Sequence, residues 1–342
     1  MPIPVAVVGA GSFGTCLALL CGMENEVRLW ARDPAIADAI NRDHRNPRYL
    51  QDATLPESVQ ATTSLQHTLS GSELVIFAVP SHVLREVASQ ALPHLDPNAV
   101  VVSAVKGLEY ETGATMHGVL SDVLPETFHE RIVCLSGPSF AHEIAQKKPT
   151  VVTLACRDEV YAISVQSTLS CPWFRCYSNT DVMGVELGGG LKNVIAIAVG
   201  IGDGMNQGHN SRAAMMTRGL AEMTRLGVRL GAEATTFQGL SGMGDLILTC
   251  TGDLSRNRRV GLALGRGQPL DEILEEVGEV VEGIETARAA CRLAERLGVE
   301  LPIATAVNRV LDGSWTPGEA GEHLMRRQLR SEQDYQKTAG SP

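Results

Sequence analysis

The sequence predicts an α/β domain built on a mostly parallel sheet, followed by an all-helical domain, in a chain of 342 residues. Three observations carry that prediction. A short Val-rich run, Pro4–Val8, leads directly into Gly9-Ala10-Gly11-Ser12-Phe13-Gly14 and then into an apolar helical segment, Thr15–Cys21. Up to Asp181, short apolar runs alternate with helical patterns, the order that builds parallel sheets. After Asp181 only helical periodicity remains, so the domains are placed at 1–181 and 182–335, with a frayed tail over 336–342.

The first element specifies a ligand. A strand, a Gly-x-Gly-x-x-Gly turn and a helix in that order form the dinucleotide-binding signature of a Rossmann-like domain. Gly9 permits the tight turn, Gly11 lets the main chain approach a pyrophosphate, and Gly14 lets the helix pack on the strand. The helix N-terminus offers unpaired N–H groups to the anion, and Ser12 and Phe13 sit where the cofactor passes. The second strand, Glu26–Ala31, ends in Arg32, where an enzyme strict for NAD carries a carboxylate for the ribose 2′-hydroxyl. An arginine there tolerates a 2′-phosphate, so NADP is expected as well as NAD; the alternative is a solvated surface arginine. Asp33-Pro34 reads as a helix start.

Further strands follow in order. Arg42–Glu57 reads as a polar loop, Leu74–Val79 as a strand, Ser81–Leu92 as a helix and Val100–Val105 as another buried strand. That strand ends in Lys106-Gly107, and ligands of open parallel sheets bind beyond the carboxyl ends of strands. Ile132–Leu135 ends in Ser136-Gly137-Pro138-Ser139-Phe140-Ala141, which opens a helix over Phe140–Ala145, although Ser-Gly-Pro is also ordinary turn chemistry. Thr150–Ala155 and Phe174–Tyr177 are the last strands.

The helical half begins with Val182–Met205, apolar on nearly every side and therefore a helix buried in a larger body. Its lysine, Lys192, has two readings. It snorkels to the surface from a core helix, or it is held in a closed cleft where lost hydration eases release of its proton and makes it an acid or base. Ser211–Leu226 is a further helix, and Gly242-Met243-Gly244-Asp245 breaks the apolar pattern. Ser255-Arg256-Asn257-Arg258-Arg259 is a basic cluster at a helix start. It is either a solvated face or an anion clamp, with Arg256 as the fork and Ser255 and Asn257 adding hydrogen bonds. Val280-Val281-Glu282-Gly283 precedes a long helix, Ile284–Leu297, and Thr316-Pro317 starts the last.

Composition narrows the partners. A net charge of −10 argues against nucleic acid as a partner, yet leaves room for a local basic pocket and a phosphorylated substrate. The eight cysteines include no Cys-x-x-Cys, and the histidines are scattered singly, so no metal site and no disulfide scaffold is expected. Reduced thiols and the absence of a cleavable apolar segment lead to the expectation of a cytoplasmic protein without stable membrane insertion.

In this order the pieces resemble the bacterial NAD(P)-dependent glycerol-3-phosphate dehydrogenases. The carrying motifs are the Gly9–Gly14 turn, Val105-Lys106-Gly107, Leu135–Ala141, Glu186-Leu187 through Leu191-Lys192-Asn193, Gly242–Leu246, Ser255-Arg256-Asn257 and Val280–Gly283. The resemblance implies a Rossmann-like domain followed by an all-α domain of the 6-phosphogluconate-dehydrogenase-like type, with the active site between them and domain closure excluding water. It implies a hydride exchanged between NAD(P)H and dihydroxyacetone phosphate, giving sn-glycerol 3-phosphate for glycerophospholipid synthesis. Lys192 is then the proton acceptor for the 2-hydroxyl. Lys106, Gly137, Ser139, Asp245, Ser255, Arg256 and Asn257 surround the substrate. Ser12, Phe13, Arg32, Lys106, Ala141, Arg256, Val280 and Glu282 lie on the cofactor. Asn193, beside the base, is added as an orienting group, and a homodimer is allowed. A 6-phosphogluconate or 3-hydroxyacyl enzyme shares the plan, but the latter wants a His–Glu pair and none is suitably placed. A non-catalytic dinucleotide-binding module has no need of Lys106, Lys192, Asp245 and Arg256 together.

Overall fold

The structure, a computed structural model, describes residues 2–329 and 331–332. The expected frayed tail, 336–342, lies outside the described residues. The described parts of Met1–Val105 and Met116–Val182 form one compact unit, and those of Lys106–Thr115 and Met183–Pro342 form a second. Where the sequence reading draws one boundary after Asp181, the chain makes an additional excursion at 106–115. Lys106, three residues past the carboxyl end of the strand Val100–Ser103, therefore groups with the helical unit. The cause lies two residues on: Leu108 is 1% exposed and belongs to the hydrophobic core of the helical unit.

The first unit holds strands β1 (Pro4–Val8), β2 (Glu26–Trp30), β3 (Val59–Thr62), β4 (Leu74–Phe77), β5 (Val100–Ser103), β6 (Ile132–Ser136), β7 (Thr150–Ala155) and β8 (Phe174–Asn179). Its helices are α1 (Ser12–Cys21), α2 (Pro34–Asp43), α3 (Leu65–Leu69), α4 (Leu84–Ala91), α5 (Met116–Val123), α6 (Ala141–Ala145) and α7 (Glu159–Leu169). The strands form one eight-stranded sheet in the order β3-β2-β1-β4-β5-β6-β7-β8. Every pair is parallel except β6 with β7. The order reverses at β1, where one connection runs to β2 and the next to β4, and ligands of such sheets bind at that switch point. β4 is buried at all four residues, as expected of a strand covered on both faces. Side chains close both sheet edges against further pairing. On β3, the Asn41 amide donates to Ala61 O and accepts from Ala61 N. On β8, Gln166 donates to Cys176 O and Ser170 accepts from Cys176 N.

The second unit contains α8 (Val182–Gly204, whose first residue closes the first unit), α9 (Gly208–Arg229), α10 (Asp245–Thr251), α11 (Arg256–Gly265), α12 (Leu270–Val277), α13 (Glu282–Leu297), α14 (Pro302–Leu311) and α15 (Pro317–Met325). By length and composition α8 could cross a membrane, but 94% of its most apolar stretch is buried inside the protein. Glycines let α11 approach it at backbone distance. A Cβ on Gly200 would run into the Arg258 carbonyl, one on Gly261 would run into the Ile197 carbonyl, and Gly204 and Gly265 repeat the contact one turn on. Polar staples complete the joint: Arg258 donates twice to Asp203 on α8, and Arg212 on α9 pairs with the same carboxylate. α11 is thereby fixed against the C-terminal turns of α8.

Candidate active site

Lys192 lies midway along α8, 6% exposed. Facing it is the first turn of α10, reached through a wide π-helical turn, Leu240–Gly244. That turn comes close because Gly188 carries no side chain; a Cβ there would lie 2.6 Å from the Ser241 carbonyl oxygen. Lys192 Nζ donates to Asp245 Oδ1 at 2.5 Å and to Thr249 Oγ1 at 2.8 Å. Thr249 is held as an acceptor, because its own hydroxyl donates to the Asp245 carbonyl one turn earlier, at 2.6 Å. Lys106 Nζ donates to the other carboxylate oxygen, Oδ2, at 2.9 Å. The Asp245 side chain is 1% exposed, Lys192 8% and Lys106 18%, so the cluster opens to solvent on the Lys106 side.

Two ammonium groups share one carboxylate in this cluster. Burial holds the Lys192 amine down at about 8; Asp245 pulls it up, and the charge of Lys106 pushes it down again. The amine is thus poised to hold or release a proton near neutral pH. An ammonium has three N–H bonds, and Asp245 and Thr249 take two, so the third remains for an incoming oxygen.

Asn193 does not orient this amine. Consecutive residues on a helix do not face each other, and Asn193 Oδ1 instead accepts from Asn257 Nδ2 at 2.9 Å. Asn257 Oδ1 in turn accepts from Gly283 N at 2.9 Å, tying α8, α11 and the start of α13 together. Ser255 caps α11, its Oγ accepting from Arg258 N. Arg256 donates through Nη1 to Glu279 Oε2 and Val280 O, both at 3.0 Å. Its Nε and Nη2 have no partner among the described residues, which leaves a donor edge for an anion. Glu282 opens α13 and follows the half-exposed Val280 by two residues.

The first unit carries the other predicted residues. The glycine turn fits a dinucleotide on three separate counts. Gly9 has φ +117°, and a Cβ there would lie 2.6 Å from Ala78 O. Gly11 faces open space, where a pyrophosphate is expected to approach. A Cβ on Gly14 would overlap the Gly9 carbonyl, so the helix rests directly on the turn. Ser12 and Phe13 are half-buried at the start of α1, and Arg32 is exposed just past β2. At the end of β6, Gly137 has φ +131°, Ser139 Oγ donates to its carbonyl at 2.9 Å, and Ala141 opens α6.

Two residues of these sites were not anticipated. Thr249 is one. The other is Asn46, completely buried, whose amide donates to Ala10 O (2.9 Å) and to Thr15 Oγ1 (2.8 Å) and accepts from the N–H groups of Arg48 and Tyr49. It braces the glycine turn from inside the segment read as a polar loop. For Thr249 a usable signal was its spacing, one turn after Asp245, which places both on one helix face. Among the described residues no group of three His, Cys, Asp or Glu side chains is placed to hold a metal, and the eight cysteines are free thiols.

A dinucleotide-binding α/β unit in one chain with a helical unit that buries a proton-active lysine defines an NAD(P)-dependent oxidoreductase. Comparison with known proteins narrows the class. Residues 4–162 match the model of the NAD-dependent glycerol-3-phosphate dehydrogenase N-terminus, and residues 181–322 match that of its C-terminus. A glycerol-3-phosphate dehydrogenase (NAD(P)+) of Myxococcus xanthus is 51% identical over 328 residues, 96% of this chain and 98% of that protein. One from Syntrophotalea carbinolica is 49% identical over 96% of this chain and 99% of its own length. The crystal structure of glycerol-3-phosphate dehydrogenase from Coxiella burnetii superposes with a TM-score of 0.91 at 37% identity, covering 95% of this chain and 99% of that one. The chain belongs to the NAD-dependent glycerol-3-phosphate dehydrogenase family.

Proposed function

We propose that the protein interconverts dihydroxyacetone phosphate and sn-glycerol 3-phosphate with NAD(H) or NADP(H), and that Lys192 moves the proton. One observation carries the assignment of Lys192. Its amine is buried, held by Asp245 and Thr249, and has one N–H bond left over. A nicotinamide dinucleotide, when bound, would supply or take the hydride at C2. In reduction the Lys192 ammonium gives its proton to the C2 oxygen; in oxidation the neutral amine removes the hydroxyl proton. Lys106 keeps positive charge beside the oxygen as negative charge develops there. Arg256 takes the substrate phosphate on its unused edge, and Asn257, Asn193 and Ser255 set the direction of that edge. Gly137 and Ser139 add substrate contacts. Gly9, Gly11, Ser12, Phe13 and Gly14 hold the dinucleotide, with Arg32 beside the ribose 2′ position and Ala141, Lys106, Arg256, Val280 and Glu282 completing its surroundings. The apolar surface of α8 is spent inside the protein, which supports work in the cytoplasm, supplying backbone units for glycerophospholipid synthesis.

The test is oxidation of NADPH and of NADH by the purified protein, with and without dihydroxyacetone phosphate. Turnover that depends on the triose phosphate is expected. Tight dinucleotide binding without such turnover refutes the assignment.

A further inference from the structure

Residues 106–115 form a short tongue that closes on itself. Leu108 and Thr115 pair across it in antiparallel fashion. Glu109 N donates to Ala114 O at 2.9 Å, Gly113 N donates to Glu109 O at 2.8 Å, and Thr112 Oγ1 donates to Glu109 Oε2 at 2.6 Å. Leu108 plugs the base of the tongue into the helical core, and the Gly107 backbone lies 3.4 Å from where a Cβ on Gly190 of α8 would stand. At the outer end, two arginines one turn apart on α13 hold it. The Arg292 guanidinium lies 4.2 Å over the Tyr110 ring, and Arg296 Nη2 donates to Thr112 O at 2.7 Å. Gly113 rests against the same helix; its φ is +73°, and a Cβ there would lie 2.8 Å from Arg296 Nη2.

We infer that Arg292 and Arg296 are positioning residues: by clamping the tongue to α13 they hold Lys106 on Asp245, and so set the charge that the Lys192 amine feels. A lysine side chain is a flexible four-carbon stem. Its ammonium stays on one carboxylate oxygen only if the backbone that carries it is fixed. Leu108 fixes that backbone from inside, and the arginines fix it from outside. Both guanidinium groups are on exposed residues, and neither is among the groups that act on the Lys192 amine, so their effect on the reaction is routed through Lys106. The ionisable groups facing the Lys192 amine are Asp245 and Cys250 on α10 and Lys106 on the tongue. Of these, only Lys106 is carried by a segment that a surface contact can release. Release lifts a repulsion from Lys192, and its amine titrates at higher pH.

The inference rests on the proton-transfer reading above, and the experiment separates the two. Arg292→Ala/Arg296→Ala is made in the wild-type chain and in a Lys106→Met chain, and dihydroxyacetone phosphate reduction is followed across pH. In the wild-type background kcat is expected to fall about tenfold, within the range that small misplacements of reacting groups produce. Dinucleotide affinity is expected to hold, and the alkaline midpoint of kcat to move upward. Arg292→Lys/Arg296→Lys restores part of the loss. In the Lys106→Met background the arginine substitutions are expected to change kcat less than about twofold, the mark of residues acting through one shared partner. Equal losses in both backgrounds overturn the inference alone, as does an unchanged wild-type background. A Lys106→Met enzyme that turns over like wild type removes Lys106 from the reaction and overturns the inference, while the assignment of the proton to Lys192 stands or falls with Lys192→Met.

Discussion

Replacing Asp245 by Asn removes the one negative charge between two ammonium groups and keeps the side-chain shape. Both lysines lose their anion, at 2.5 Å for Lys192 and 2.9 Å for Lys106. Unit charges about 4 Å apart attract by about 4 kcal/mol at an effective dielectric near 20, which sets the scale of the effect at roughly three pKa units. Thr249 still accepts from the amine, and water follows an open charge, so a fall of about 1–2 units is expected. The sign is fixed by structure. Burial and Lys106 already push Lys192 down to about 8, and Asp245 is the main group pulling it up. Without the carboxylate the ammonium gives up its proton at lower pH. Reduction of dihydroxyacetone phosphate needs that proton, so its alkaline limb moves toward acid and the activity lost at about pH 8 is largely recovered near pH 6. The assay is kcat against pH at saturating NADPH and substrate, with melting temperature recorded in parallel, since taking the carboxylate from between two ammonium groups also destabilises the fold. A limb that stays in place, or moves toward alkali, refutes the reasoning.

Thr249→Val keeps the shape and removes the hydroxyl that accepts from Lys192; kcat is expected to fall about tenfold with the apparent substrate affinity near wild type, and Thr249→Ser to restore it, whereas equal rates for Val and Thr exclude the role. Asn46→Ala removes the brace behind Ala10 and Thr15; dinucleotide Kd measured by fluorescence titration is expected to rise about tenfold, and an unchanged Kd would show that the turn stands without it. Glu222 is buried under the start of α14, accepting from Ile303 N and Ala304 N, and burial raises its carboxyl to about 7 against the pull of those N–H groups. Its folded pKa exceeds the unfolded value of 4.5, so its contribution is fully present below pH 4.5 and is lost as pH rises through 7. Glu222→Gln is expected to gain on wild type by up to about 3 kcal/mol over that window; denaturation curves of the two proteins that keep a constant separation from about pH 5 to 7.5 contradict this.

The elements that sequence reveals best are those whose physics is local. The Gly9–Gly14 turn is legible because each glycine answers a separate steric demand, and the structure shows an obstacle at Gly9 and Gly14 and open space at Gly11. Asp33 and Thr316 were readable as helix starts because caps act within one turn. β3 escaped notice: its four residues, Val-Gln-Ala-Thr, alternate as a strand does but are too few to stand out, and the Asn41 amide that supports it comes from another element. α7 was missed for a related reason, its apolar residues being spread around the helix without a clear face.

The candidate site divides the same way. Lys192 could be singled out because an ammonium is out of place in an apolar helix. Its partners could not be assigned, since Asp245 lies 53 residues away and Lys106 lies 139 residues before Asp245. The excursion at 106–115 was invisible for lack of any boundary signal; one buried residue, Leu108, commits it to the helical unit. Asn193 shows the opposite error, in which adjacency in sequence suggested adjacency in space and helix geometry sends the side chain to Asn257 instead.

The most direct measurement is Lys192→Met, assayed for hydride transfer to dihydroxyacetone phosphate in a single turnover, with NADPH binding measured on the same preparation. A loss of about 10³-fold in the transfer rate, with dinucleotide Kd within about twofold of wild type, is the expected result. A transfer rate within about tenfold of wild type contradicts it and removes this amine from the reaction.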